Sequence, residues 1–321
     1  MFLVFFLFIF AGLSFYDIPS KISYGVSFSK FHSDELGLEW KEVYLAILDD
    51  LKVKKLRLGA HWPMIEPSKG KFNFVELDYQ MEEARKRGAR VILAVGRRLP
   101  GWPECHDPDW VKPLSISERQ SQTLLYIEAV VRRYRGHESL IYWQVENEPF
   151  LRNFSKENCG VFRKEFLTEE ISLVRGLDPS HQILITDSGE ISTWREAYSS
   201  GDIFGTSVYL YVWTHWLGPI RYPMTPAFFR AKRNFTELIY GGKPAILIEL
   251  STEPWLLKPI VDTDMSIIEE RMSMEKFNNT ISFAKKTSFR EQYLWGAEWW
   301  YWMKIKDREE YWQRAKEIFA D

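Results

Sequence analysis

Asn147, Glu148 and Pro149 directly follow the apolar run Leu140-Ile-Tyr-Trp-Gln-Val145. An amide and a carboxyl group therefore stand side by side where a buried strand runs out into a loop. Further along, a second apolar run, Ala245-Ile-Leu-Ile248, ends in Glu249. Two carboxylates delivered from the ends of different strands suit the hydrolysis of a glycosidic bond, one protonating the leaving oxygen while the other attacks or activates water. Glu253, four positions on in a second Glu-Pro pair, competes with Glu249. Glu249 is preferred because it abuts the strand, where position is best fixed.

The elements that must hold this pair recur as a short apolar run, a loop and a helical pattern. The runs are Ile22 to Ser27, Lys55 to Leu58, Arg90 to Ala94, Leu140 to Gln144, Gln182 to Thr186, Ile203 to Val208, Ala245 to Ile248 and Tyr293 to Gly296. Several are β-branched and apolar on both faces, as parallel strands buried on both sides must be. Helical patterns lie between them: Trp40 to Leu51, Glu76 to Arg87, Ser115 to Tyr134, Glu165 to Arg175, Ser192 to Tyr198, Pro226 to Tyr240, Met274 to Lys286 and Arg308 to Ala320. Gly88, Gly176 and Gly241-Gly242 are good C-terminal stops. Eight alternating units predict an α/β protein, a single-domain (β/α)₈ TIM barrel over residues 21–321 with elaborated loops at its C-terminal face. An open doubly wound sheet fits less well, because no glycine-rich phosphate loop follows the first strand. On this map Glu148 follows the fourth strand and Glu249 ends the seventh, so both sit at the C-terminal face, where barrel enzymes place their chemistry.

Composition agrees with a folded, aromatic-rich chain. Of 321 residues, 45% are hydrophobic and 27% charged, enough for a large core. A net charge of −2 argues against a general nucleic-acid or anionic-membrane binder. The 14 Trp, 15 Tyr and 22 Phe admit two readings: a core built of large rings, or rings that stack on the apolar face of a pyranose. The first sixteen residues carry no charge and are short for a spanning helix. Residues 1–20 are expected to be a signal peptide or an N-terminal membrane anchor, and either places the rest outside the cytoplasm, secreted or membrane-attached. The two cysteines, Cys105 and Cys159, fall in loops leaving the same end of adjacent strands. An oxidising compartment allows a disulfide between them; two unrelated thiols is the alternative. Glu104-Cys105-His106 has no second ligand pair of recognisable spacing, so neither a metal nor another cofactor is expected.

With Gln144-Val-Glu-Asn-Glu-Pro149 as its most specific element, the chain resembles the clan A retaining glycoside hydrolases over nearly all of its length after residue 20. That resemblance implies double displacement: Glu249 as nucleophile, Glu148 as acid and then base. It implies that Asn147 hydrogen-bonds the 2-hydroxyl of the reacting sugar, that Arg57 keeps the nucleophile ionised, and that Tyr209, or failing it Tyr211, donates to the nucleophile. It also implies that a tryptophan from the eighth strand, Trp299 or Trp295, floors the sugar site. Leu250-Ser251 departs from the aromatic or glycine-containing turn that many clan members have after the nucleophile. By position alone, His61, Trp62 and Arg98 are candidates for binding sugar hydroxyls, with loop packing as the alternative. Glu298 is a candidate for a hydroxyl or an arginine partner. Glu190 lies on the same face, and Trp102, Trp213, Trp216 and Trp255 are expected along the rim of a cleft for an oligosaccharide or glycoside. Three activities fit this set: a retaining β-glycosidase, a transglycosylase using the same covalent intermediate, and a carbohydrate-binding pseudoenzyme. The last has no need of the Glu148–Glu249 pair.

Overall fold

The computed structural model describes residues 19–101, 104–151, 159–160, 162–214 and 216–320. Residues 1–18 of the expected leader lie outside them, as does Trp102. Eight parallel strands close into a barrel: β1 (Ser23–Phe28), β2 (Lys55–Gly59), β3 (Arg90–Val95), β4 (Leu140–Val145), β5 (Gln182–Asp187), β6 (Ile203–Val208), β9 (Ala245–Ser251) and β10 (Glu291–Trp295). Each pairs with its sequence neighbour, and β1 closes the ring on β10 from Ser23 opposite Glu291 to Ser27 opposite Trp295. An antiparallel hairpin, β7 (Tyr211–Thr214) and β8 (Gly218–Arg221), is inserted at the barrel mouth after β6.

All eight predicted strands are present, and the predicted helices match to within a few residues, with two informative differences. The helix Lys164–Leu177 runs through Gly176 instead of stopping there, with the Asp178 N–H still donating to the Val174 carbonyl and the Asp178 carboxylate accepting from Trp143 Nε1 of β4 at 2.8 Å. The tryptophan-rich segment after β10 is a helix, Ala297–Lys304, entered through Gly296 at φ 125°, a conformation that favours glycine. Ser115 caps the long helix Ile116–Tyr134 with a full capping box to Glu118.

The chain packs into two apolar clusters. The larger lies between the strands and the helices that return outside them. The smaller gathers Ile92, Leu184, Ile203, Ile246, Ile248 and Tyr293. These come from β3, β5, β6, β9 and β10, strands that can meet only inside the barrel. Alternation then fixes the rest: in β10, Tyr293 and Trp295 share the inner face, and Trp295 stands at the mouth. In β9 strict alternation would turn Glu249 outward, since Ile246 and Ile248 both face in. The ladder slips at this point. Thr206 and Ser207 of β6 pair with Leu247 and Glu249, leaving Ile248 as the extra residue of a bulge. Ile248 and Glu249 therefore both face inward, the kind of re-aiming that bulges perform beside active sites.

Candidate active site

Glu249 leaves the end of β9 as a buried carboxylate between two donors. Arg57, from the inner face of β2, donates from Nη1 to Glu249 Oε2 at 2.6 Å, and the Tyr209 hydroxyl, just past β6, donates to Oε1. The same guanidinium donates from Nε to Gln144 Oε1 at 2.8 Å and from Nη2 to Asn147 Oδ1 at 2.6 Å. One buried arginine thus ties together β2, β4 and β9. Its planar fork sets three acceptors at fixed angles, which a lysine could not do.

Asn147 Oδ1 also accepts from Gln144 Nε2 and Thr186 Oγ1, both at 3.2 Å. Because Arg57 can only donate, the amide oxygen of Asn147 must face it, and the NH₂ group is turned the other way. The loop carrying Asn147 is held in an unusual backbone conformation: Glu146 and Glu148 have φ of 60° and 45°, a region costly for residues other than glycine. Clamps on both sides keep it there. Arg98 Nη1 donates to the carbonyls of Glu148 (2.7 Å) and Leu151 (2.9 Å), and Thr186 Oγ1 accepts from the Glu148 N–H at 2.8 Å. The Glu146 carboxylate accepts from the N–H groups of Arg97 and Arg98, and the absence of a side chain at Gly96 makes room for it. Arg98 Nη1 is thus engaged by the loop, while its Nη2 is buried with no hydrogen-bond partner among the described residues.

Glu148 is in a different environment from Glu249. Among the described residues it faces no guanidinium within ion-pair distance; Ser207 Oγ donates to its Oε1 at 2.7 Å. Burial first, and the charge of Glu249 second, push its carboxyl well above the usual range, with the Ser207 hydrogen bond opposing them. Ser207 is also the register partner of Glu249 on β6, so a single strand position adjoins both carboxyls. Glu104 adds a third acid. Burial raises it to about 7 against the pull of Arg98, whose Nε donates to it at 3.1 Å. The phenol of Tyr209 is raised by burial and by Glu249, and so stays a donor. Glu190 accepts from the Tyr209 N–H at 2.8 Å, and burial raises it to about 7.

The other expected residues divide between mouth and core. Trp295 is nearly buried at the tip of β10, its Nε1 donating to Glu253 at 2.6 Å, and Glu253 also meets His32 Nε2 at 2.9 Å. This pairing takes Glu253 out of the contest for nucleophile and makes it the support of the indole. Trp299 and Trp62 are not brought to the mouth. Trp299 lies one turn into the helix after β10 and packs on Tyr311, while Trp62 packs on Tyr126 and donates to Glu66 at 2.8 Å. Glu298 is buried and accepts from the Ser29 N–H, so it holds the β1 loop rather than pairing with an arginine. His61 is enclosed by Phe31 and His106, with ring centroids 5.2 and 4.6 Å away. Burial keeps its pKa well below 6.5. Tyr211 belongs to the hairpin, with Lys276 over its ring, and Tyr209 alone reaches Glu249. Trp216 stands 94% exposed at the hairpin turn. Cys105 and Cys159 are joined as a disulfide that ties the loop after β3, which carries Glu104, to the loop after β4. Among the described residues no group of three or more His, Cys, Asp or Glu is arranged to hold a metal ion.

Gln144, Thr186, Ser207 and Glu104 belong to this site, and sequence reasoning assigned none of them a role there; Glu253, read from the sequence as a rival nucleophile, supports Trp295 instead. Gln144 lay within the quoted motif, and Thr186 and Ser207 occupy inward positions at the ends of their strands. Their common signal is polarity at the C-terminal end of an otherwise apolar run.

A family model described as beta-galactosidase matches residues 38–115. A beta-galactosidase of Clostridium cellulovorans is 24% identical over 168 residues, covering 47% of this chain and 25% of that protein. An endo-1,4-beta-xylanase of Agaricus bisporus is 30% identical over 132 residues, covering 39% of this chain and 37% of that protein. The chain thus matches well under half the length of these relatives. Among solved structures, the cold-adapted beta-galactosidase of Rahnella superposes with a TM-score of 0.54 at 14% identity, over 88% of this chain and 51% of that one. A xylanase of Thermotoga petrophila superposes with a TM-score of 0.54 at 14% identity, over 90% and 84%. At these identities the structural likeness carries the barrel alone. The sequence matches spread over more than one subfamily and single out none, and together they mark this chain as similar to the clan A glycoside hydrolases.

Proposed function

We propose that this protein is a retaining glycoside hydrolase acting on β-linked glycans or glycosides. The observation that carries the reading is the contrast between its two inward-facing carboxyls. Glu249 is set between a guanidinium and a phenol, while burial and the charge of Glu249 keep Glu148 protonated well above the usual range. In this reading Glu249 attacks the anomeric carbon as Glu148 donates its proton to the leaving oxygen, giving a covalent glycosyl-enzyme. Glu148, now ionised, takes a proton from the water that hydrolyses it. The Asn147 NH₂ group is left to bind the 2-hydroxyl, and Trp295 to lie beneath the sugar ring. The relatives named for beta-galactosidase, xylanase and mannosidase activities share the β-linkage and differ in the sugar, which supports the linkage class and leaves the sugar open. The reading also places the protein outside the cytoplasm, supported by the Cys105–Cys159 disulfide.

The test is incubation with a panel of 2-deoxy-2-fluoro β-glycosides, followed by mass spectrometry of the intact protein and its peptides. An adduct on the peptide containing Glu249 is expected. An adduct on Glu253 would reassign the nucleophile. Release of product with inverted anomeric configuration would overturn the mechanism.

A further inference from the structure

Near the carboxyl pair, the β7–β8 hairpin and the helix Met265–Arg271 border an open cavity of about 250 Å³. Tyr211, Ile220 and Trp255 form its apolar wall. Arg221, Arg271 and Lys276 bring three cations to it and Glu270 one carboxylate. None of the three cations forms an ion pair among the described residues, whereas Arg233, Arg308 and Arg314 elsewhere in this part of the chain each do. Among the described residues Arg271 Nη1 is buried with no hydrogen-bond partner, and Lys276 Nζ meets only the backbone carbonyl of Glu270 and the face of Tyr211. A buried guanidinium donor without an acceptor is costly, so the cavity is built for an anion that arrives from outside. Its position relates that anion to the reaction. Trp255 packs edge-on against Tyr209, with ring centroids 5.3 Å apart, and Tyr209 donates to Glu249. Two rings, Trp255 and Tyr209, therefore link the cavity to Glu249.

We propose that this cavity is a substrate subsite for an acidic sugar residue, a hexuronic acid whose carboxylate is taken by Arg271 and Arg221 while Trp255 and Tyr211 flank its ring. The proposal rests on the glycosidase reading, and it names the substrate as a β-linked glycan carrying uronic acid next to the sugar that is cleaved. A carboxylate on the ring offers two oxygens in one plane, the match for a guanidinium fork. The volume suits one ring and its carboxylate rather than a longer branch.

The test measures binding of disaccharides containing glucuronic or galacturonic acid, of their methyl esters and of a neutral 6-O-sulfated disaccharide, by calorimetry and saturation-transfer NMR up to millimolar concentration. Wild type, Arg271→Met and Arg221→Met are compared, with circular dichroism as the check on folding. We expect the acids to bind about ten-fold tighter than their esters, and each variant to lose that preference. Turnover of a simple neutral aryl glycoside should stay within about two-fold in both variants, since such a substrate does not reach the cavity. If no fluoro-sugar adduct forms and no aryl glycoside is cleaved, yet the acids bind in an arginine-dependent way, the glycosidase reading fails and the subsite stands. If adducts form but acids and esters bind alike, or if the preference survives in both folded variants, the subsite is overturned. Tighter binding of the sulfated disaccharide than of the uronides overturns the carboxylate.

Discussion

Ser207 controls the charge of Glu148 through one hydrogen bond, and removing it has a signed consequence. Its hydroxyl favours the ionised form, opposing burial and Glu249. A Glu148 that must be protonated loses activity as pH rises through its pKa, so Ser207→Ala, which raises that pKa, should move the alkaline limb of kcat/KM to higher pH. A limb that stays in place would show that another group sets it. Glu148→Gln should cost on the order of 10²–10⁴-fold on poor leaving groups and far less on an activated aryl glycoside, which leaves without a proton. Arg57→Lys keeps the charge but cannot span Gln144, Asn147 and Glu249 together, and should lower kcat/KM on the order of 100-fold or more. At this scale the sequence was informative where a residue's chemistry is rare for its place: Arg57 inside a strand, Asn147-Glu148 at a strand end, Tyr209 one step past another. It failed for Trp299 and Trp62. Four tryptophans in eight residues do not say which one precedes a helix start, and only Trp295 does, on the inner face of β10.

Among elements, the helix Lys164–Leu177 is coupled to the catalytic loop through two acids. Glu170 lies buried beside Glu146, whose carboxylate holds the loop. Ionised, Glu170 has no hydrogen-bond donor among the described residues; protonated, it becomes a donor to Glu146. Burial first, then the charge of Glu146, raises its pKa well above 4.5. A carboxyl raised on folding contributes stability at low pH that is lost as pH rises through the folded value. Glu170→Gln, neutral at every pH, escapes that loss. Its melting temperature should exceed that of the wild type by a few degrees at pH 8 and by less at pH 5; an equal gap at both would rule out the shared proton. The disulfide closes 54 residues between the β3 and β4 loops, for which chain entropy predicts about 4 kcal/mol. Cys105→Ser with Cys159→Ser should therefore melt lower and lose activity together, as the loops holding Glu104 and Glu148 part. Strands and helices were legible because their periods differ. The bulge that turns Glu249 inward was not, since it depends on the pairing of β9 with β6 rather than on either strand's own pattern.

For the whole molecule, the barrel closes without the first eighteen residues. β1 begins at Ser23, whose N–H donates to Arg290 at 2.9 Å, and its partners lie wholly among the described residues. A protein starting near residue 20 should fold with a single cooperative melt and keep full activity, as calorimetry and turnover would register. Barrel closure was readable from eight repeats of one unit, whereas the hairpin that builds the second cavity interrupts that repeat and left no periodic trace.

The seam of the barrel has a consequence for the order of the chain. The rings of Tyr24, in the first strand, and Phe319, in the last helix, lie 6.4 Å apart, so the two extremities of the fold are neighbours. Sequence order around the ring is then a matter of where the circle is cut. A short linker from residue 320 to residue 22, with a new start opened at the exposed Gly241-Gly242 turn, would leave every strand pairing in place. Such a permuted chain would be made with Glu249 among its first residues and Glu148 among its later ones, and the site would still assemble.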